Sequence, residues 1–226
     1  MEDSQRALEL LQAGDTEGLR RLLEQDPPAS DARDANGVSL LMHSLYRGHR
    51  DLAELIASKL IASKKKALDI FEAASLGHLD RLKTCLDDAG LRDPSAVNAY
   101  SKDGFTALHF ACFFGQPAAA RLLIDSGAAV DALASNPTQV MPLHSAASAR
   151  NLEAASLLLE HGAPVNARQQ KGWVPIHAAA QNGDRALVEL LLKHHADPKL
   201  ANDEGKTPAI VARDKGHEEI AALLEK

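Results

Sequence analysis

The chain has 226 residues, 45% of them hydrophobic, and carries 25 Lys and Arg against 31 Asp and Glu for a net charge of −6. That balance weighs against general nucleic-acid binding, which rests on neutralising phosphates, though it leaves room for a local basic patch. Two cysteines without C-x-x-C spacing, a charged amphipathic start with no apolar signal core, and no run of ~18 apolar residues lead to the expectation of a soluble cytoplasmic protein with no membrane span.

Along the chain one pattern returns. SQRALELLQAGDTEGLRRLL (4–23) is followed by NGVSLLMHSLYRGH (36–49) and LDIFEAASLGHLDRLKTCL (68–86). Then come TALHFACFFG (106–115), MPLHSAASAR (141–150), VPIHAAAQNG (174–183) and TPAIVARDKG (207–216), which are one motif written four times. The residues that close the first helical phrase are Gly14, Gly48, Gly77, Gly115, Arg150, Gly183 and Gly216, so by subtraction the steps are 34, 29, 38, 35, 33 and 33 residues. A period near 33 around a T-P-L-H-x-A core marks a stacked repeat. Each unit is too small to bury its own apolar face, so neighbours must stack and the chain grows as a solenoid.

The departures from the period carry information. The 29-residue step leaves little room for a hairpin between the second and third units, and the chain there runs through SKLIASKKKALD (58–69). Its KKK run (64–66) fits a solvated helix end better than a targeting signal. The 38-residue step adds a loop, GLRDPSAVNAYS (90–101), and the 35-residue step lengthens the connection around NPTQ (136–139).

These features resemble the ankyrin repeat family. Ala111, Ala146, Ala179 and Ala212 recur at one offset in a first helix A. The pairs Leu122 and Leu123, Leu157 and Leu158, Leu190 and Leu191, and Leu223 and Leu224 recur in a second helix B. The turns SGAAVDA, HGAPVNA and HHADPKL are similar to the family's G-A-D-V-N-A. The resemblance implies an all-α solenoid of stacked helix–turn–helix units with short β-hairpin or loop fingers. It covers the whole chain as a single domain of about seven repeats: 1–33 (an N-terminal cap), 34–64, 65–98, 99–132, 133–167, 168–200 and 201–226 (a C-terminal cap). Polar Gln5, Arg6, Glu9 and Gln12 at one end, and Glu218, Glu219, Glu225 and Lys226 at the other, suit the wet outer faces of terminal repeats.

The motif residues have structural duties. Ser39, Thr106 and Thr207 are expected to cap helix A with a hydroxyl, and Pro142, Pro175 and Pro208 to sit at the first helical position, where a missing N–H costs nothing. His109, His144 and His177 lie one per repeat, so they do not converge as metal ligands would. In the family this histidine bonds to backbone in the adjoining unit. No G-x-S-x-G context, Cys–His pairing or phosphate loop is legible. The expectation is therefore no cofactor, no metal and no enzyme, but a monomeric interaction module: an adaptor, inhibitor or assembly factor. A nucleic-acid or anionic head-group binder is the alternative, and an enzyme the least favoured reading.

In the family, partners are met by finger tips and by the two residues before the glycine that ends helix A, on the concave side. Mapped onto this chain, the rule gives Tyr46 and Arg47, Ser75 and Leu76, Phe113 and Phe114, Ser148 and Ala149, Gln181 and Asn182, and Asp214 and Lys215. On the fingers it gives Tyr100, Lys102, Asp103 and Phe105, then Arg168, Gln170, Lys171 and Trp173. Of only eight aromatics, Phe71 and Phe110 fall at core positions and the other six at these contact positions. Exposed apolar patches mark interaction sites, and Trp, Tyr and Arg are common hot spots. Phe105 and Trp173 are equally placed to brace a hairpin, and Phe114 to pack on a neighbouring helix. Tyr46, Arg47, Tyr100, Lys102, Phe105, Phe113, Phe114, Arg168, Lys171 and Trp173 are the candidate contacts. With Arg47, Lys102, Arg168 and Lys171 set against Asp103, and Arg150 nearby, the face would suit an acidic and apolar protein segment.

Overall fold

The computed structural model describes residues 2–63, 67–87 and 96–226, so the KKK run and the first half of the 90–101 insertion lie outside the described residues. The inner helices are α1 (Glu2–Gln12), α3 (Leu40–Tyr46), α5 (Ile70–Leu76), α7 (Ala107–Phe113), α9 (Pro142–Ser148), α11 (Pro175–Gln181) and α13 (Pro208–Asp214). Each pairs with the helix that follows it: α2 (Thr16–Gln25), α4 (Arg50–Ala62), α6 (Leu79–Asp87), α8 (Pro117–Asp125), α10 (Leu152–Glu160), α12 (Arg185–Lys193) and α14 (Glu218–Leu224). No strand occurs among the described residues. The fingers are turns, and two of them are closed by single antiparallel bridges, Arg33 to Ser39 and Tyr100 to Thr106.

Six of the inner helices are only seven residues long, too short to persist alone in water. They persist because each is packed against its neighbours in the stack, on both sides for all but the terminal α13. Helix α7 packs against α5 and α9, and α11 against α9 and α13. In the outer layer α8 lies between α6 and α10. Ala111, Ala146, Ala179 and Ala212 are all fully buried, and their small side chains allow this close approach. One apolar cluster runs unbroken from Ala7 to Leu224. The polar residues expected to wet the two ends are exposed.

The caps follow the sequence with one exception. Ser39 Oγ accepts from the Met42 N–H (3.3 Å) and Thr207 Oγ1 from the Ile210 N–H (3.4 Å). Pro142, Pro175 and Pro208 open α9, α11 and α13. Thr106 departs from expectation. Its hydroxyl bonds His109 Nδ1 at 2.8 Å instead of serving a backbone N–H, because the imidazole already reaches the helix start.

The three histidines form a ladder along the stack. The Nδ1 of His109, His144 and His177 accepts from the N–H of Thr106, Met141 and Val174. Their Nε2 atoms donate to the carbonyls of Val140, Ala167 and Lys206 in the next unit, at 2.9–3.1 Å. Finger tips are joined the same way: Ser135, Gln170 and Asp203 N–H donate to the carbonyls of Gly104, Thr138 and Lys171. Arg150 stands where its neighbours have glycine and takes the same left-handed angle, φ 59°. A side chain there is strained, and its Nε lies 3.7 Å from Asp184.

The connection between α4 and α5 is short: seven residues, 63–69, join the two helices, Leu68 is buried and α5 begins two residues later. From the capping residue Asp69 to the left-handed Gly77 is eight residues, against nine from Thr106 to Gly115. This shortening turns Ser75 and Leu76 inward, where they are 0% and 3% exposed. The expectation that they belong to the contact face is corrected accordingly. Ser75 instead bonds the Phe71 carbonyl (2.7 Å) and touches Met42 Sδ.

Polar bonds hold this junction. Arg33 Nη2 lies 3.4 Å from Glu72 Oε1 and 3.8 Å from Asp69 Oδ2, while its Nη1 donates to the Gly37 carbonyl at 3.1 Å. Arg50 Nη2 donates to the Leu76 carbonyl (2.8 Å), and His78 Nε2 meets Glu54 Oε2 at 3.1 Å. Asp69 and Glu72 cap α5 reciprocally, each carboxylate accepting the other's backbone N–H. Burial, then the neighbouring Asp69 charge, raises the Glu72 carboxyl above its ordinary value.

Candidate aromatic interface

The inner face around α7 gathers six of the chain's eight aromatics. The run starts at Phe71, whose ring meets Phe110 edge-on at 6.1 Å. Phe110 contacts Phe105 (5.7 Å) and Phe114 (6.3 Å). Phe114 then contacts Phe113 (5.2 Å) and Tyr46 (5.9 Å). Helix periodicity places Phe110, Phe113 and Phe114 on adjoining positions of one short helix end. The rings differ in fate along the run. Phe110 is buried, Phe105 and Phe114 are half-buried against the core, and Tyr46 and Phe113 are 42% and 46% exposed.

Tyr46, Phe105, His109, Phe110, Phe113 and Ser145 line a small, almost wholly apolar hollow of about 130 Å³. One wall is held by a long-range contact. The Tyr46 hydroxyl donates to Asp103 Oδ2, and Ser101 Oγ donates to Asp103 Oδ1. Desolvation and the Asp103 carboxylate both push the Tyr46 phenol above its ordinary range. Tyr46 thus spans from α3 to the finger before α7.

The remaining candidates are distributed around this centre. Tyr100 is 46% exposed, and its hydroxyl donates to the Leu133 carbonyl at 2.8 Å, so it also braces two successive fingers. Lys102 and Arg47 are exposed. Trp173 lies apart from the aromatic run, half-buried on His177 at 5.3 Å. With Lys171, Gln170 and Ser148 it borders a second hollow of about 430 Å³.

The cationic character expected of this face is reduced by pairing. Arg168 Nη2 donates to the Ala201 carbonyl (3.1 Å) and lies 3.3 Å from Asp203, and Arg150 faces Asp184. Arg47, Lys102 and Lys171 keep their charge exposed. Among the described residues no three His, Cys, Asp or Glu side chains converge as metal ligands, and no helix is long and apolar enough to cross a membrane.

Sequence reasoning missed the Arg33, Asp69 and Glu72 set beside this face and the hollow it borders. The one signal was the 29-residue step.

Comparison with known proteins agrees with this architecture. A family model described as ankyrin repeats (3 copies) matches residues 70–169, and one described as ankyrin repeats (many copies) matches residues 158–212. The human BCL-6 corepressor-like protein 1 is 36% identical over 108 residues, covering 47% of this chain and 6% of that protein. The rat Ankyrin repeat and SAM domain-containing protein 6 is 30% identical over 135 residues, covering 58% of this chain and 15% of its own length. The matched part is thus a small fraction of either relative.

Proposed function

The chain belongs to the ankyrin repeat family, whose repeats generally serve as protein–protein interaction modules, and from that premise we propose that it binds a partner protein on its concave face. The centre of the interface is Tyr46, Phe113 and Phe114, with Arg47, Tyr100, Lys102 and Phe105 at its edge. The chain acts as a non-enzymatic adaptor, inhibitor or assembly factor. It does so as a single monomeric domain of seven repeats in the cytoplasm.

One observation carries this reading. In a chain with eight aromatics, two large rings, Tyr46 and Phe113, stand 42% and 46% exposed beside an apolar hollow. Exposing apolar surface gains nothing in folding, and such patches mark sites of association. Arg168, Lys171 and Trp173 form a second, peripheral part of the contact. Pairing of Arg168 with Asp203 makes this part weaker electrostatically than the centre.

Phe113→Ala tests the reading, because the exposed ring can be removed with little effect on the core. Proteins captured from a native lysate by the wild type should be identified, and their affinities measured for both forms. A hot-spot ring is worth more than ~2 kcal/mol, so Phe113→Ala should weaken binding by about thirtyfold, with an unchanged unfolding curve. Equal affinity of the two forms would remove the proposed centre. A steep salt dependence with no contribution from Phe113 would favour a phosphate-bearing ligand instead.

A further inference from the structure

We propose that the cleft between the finger before α3 and the finger before α7 is a second, adjoining site, which receives an extended segment of a partner protein carrying an apolar residue beside a carboxylate. The proposal rests on the interaction reading above and deepens it. The cleft, of about 410 Å³, lies between the finger closed by Arg33 and Ser39 and the finger closed by Tyr100 and Thr106. Its floor is apolar: Met42, Phe71 and Phe110. Phe110 lines both this cleft and the aromatic hollow, and Asp103 of the cleft is bonded by Tyr46 of the hollow. A chain anchored at Phe113 can therefore continue into it.

The backbone around the cleft favours an extended occupant. In the finger before α9 the N–H donated to the preceding finger is that of Ser135, six residues before the inner-helix cap. In the last two fingers it comes from the position four residues before the cap: Gln170 to Thr138, and Asp203 to Lys171. The same position in the finger before α7 is Lys102, and its N–H has no hydrogen-bond partner among the described residues. The acceptor equivalent to Thr138 and Lys171 in the preceding finger is the Asn36 carbonyl, which is likewise unpaired. Lys102 lines the cleft, so its free backbone donor is available there as at the exposed edge of a sheet to which a peptide adds, with the Asn36 carbonyl next to the lining residue Gly37.

Charge selects the segment. The Arg33 guanidinium is engaged by Glu72, Asp69 and the Gly37 carbonyl, and Asp103 is engaged by Tyr46 and Ser101. The Lys102 ammonium has no carboxylate partner among the described residues, and its stem crosses the mouth against Gly37, where an added Cβ would meet its Cγ at 3.4 Å. An exposed lysine swings aside at little cost and is then placed to meet an incoming carboxylate, while the neighbouring apolar side chain reaches Met42 and Phe71.

A phage-displayed library of random peptides, selected on the full chain with counter-selection on Lys102→Glu, tests the assignment. Lys102 is an exposed side chain, so the variant should fold, which its unfolding curve verifies. The expected winners carry Asp or Glu beside an apolar residue and bind Lys102→Glu at least tenfold more weakly. When synthesised, they should slow exchange of the Lys102 amide hydrogen. Enrichment of the same sequences on both forms, or of none on the wild type, overturns the cleft assignment. Loss of the Phe113 dependence of the natural partner overturns the concave-face reading separately.

Discussion

Between pH 6.5 and 4 the folded chain is expected to lose about 6 kcal/mol of stability through two buried histidines alone, at roughly 1.36 kcal/mol per pH unit for each. Burial holds the imidazoles of His109 and His144 at about 4, against an ordinary value of 6.5. His177 is shifted in the same direction, again chiefly by burial. A depressed folded-state value means that the unfolded chain binds protons in this window while the folded chain does not. Stability is therefore complete above pH 6.5, falls as pH drops, and levels off below about 4.

Other groups modify the slope. Desolvation raises the Asp34 carboxyl, but its bonds to Val38, His43 and Asn36 together outweigh this and lower it, so Asp34 adds a further loss only below its ordinary value of 3.8. Glu72 is raised and so opposes it. Denaturant unfolding at a series of pH values reads the slope directly. A flat profile from pH 7 to 4.5 would mean that these imidazoles are not the neutral links between units described above.

The second large effect is expected at the short connection between α4 and α5. Arg33→Ala should destabilise the fold by about 2–3 kcal/mol, because it leaves a buried carboxylate without its cation. The full cost of breaking a buried pair is discounted because the Arg33 side chain is 31% exposed, whereas that of Glu72 is 3% exposed. Arg33 also supports the Gly37 turn and Asp69, so the loss is spread over one finger and one helix start. The same substitution in a Glu72→Gln background should cost less than about 1 kcal/mol, since no buried charge is then stranded. Equal costs in both backgrounds would show that Arg33 acts by packing and not by neutralising Glu72.

Much of the fold was legible because stacking imposes the same local demand at every period. The four strong phrases from Thr106 to Gly216 place small residues where helices meet, prolines where helices begin and left-handed residues where they end. Arg150 shows how firm the last demand is, since it keeps the angle without being glycine. The aromatic positions were legible for a related reason: a family rule about facing directions transfers wherever the period is regular.

It failed where the period did. One residue fewer in the third unit turned Ser75 and Leu76 from surface to core, which no composition or motif signals. The pairing of Arg168 with Asp203 and of Arg150 with Asp184 was equally invisible, because each joins residues of successive units some 35 positions apart in the chain. The Arg33, Asp69 and Glu72 set spans a comparable distance, across the short connection between α4 and α5.

The most direct measurement is hydrogen exchange of the chain alone and bound to the partner that it captures. Binding on the concave face should slow exchange at the ends of α3 and α7 and in the finger from Tyr100 to Phe105, leaving α8, α10 and α12 unchanged. Protection confined to those outer helices, with none at Tyr46, Phe113 or Phe114, would contradict the account.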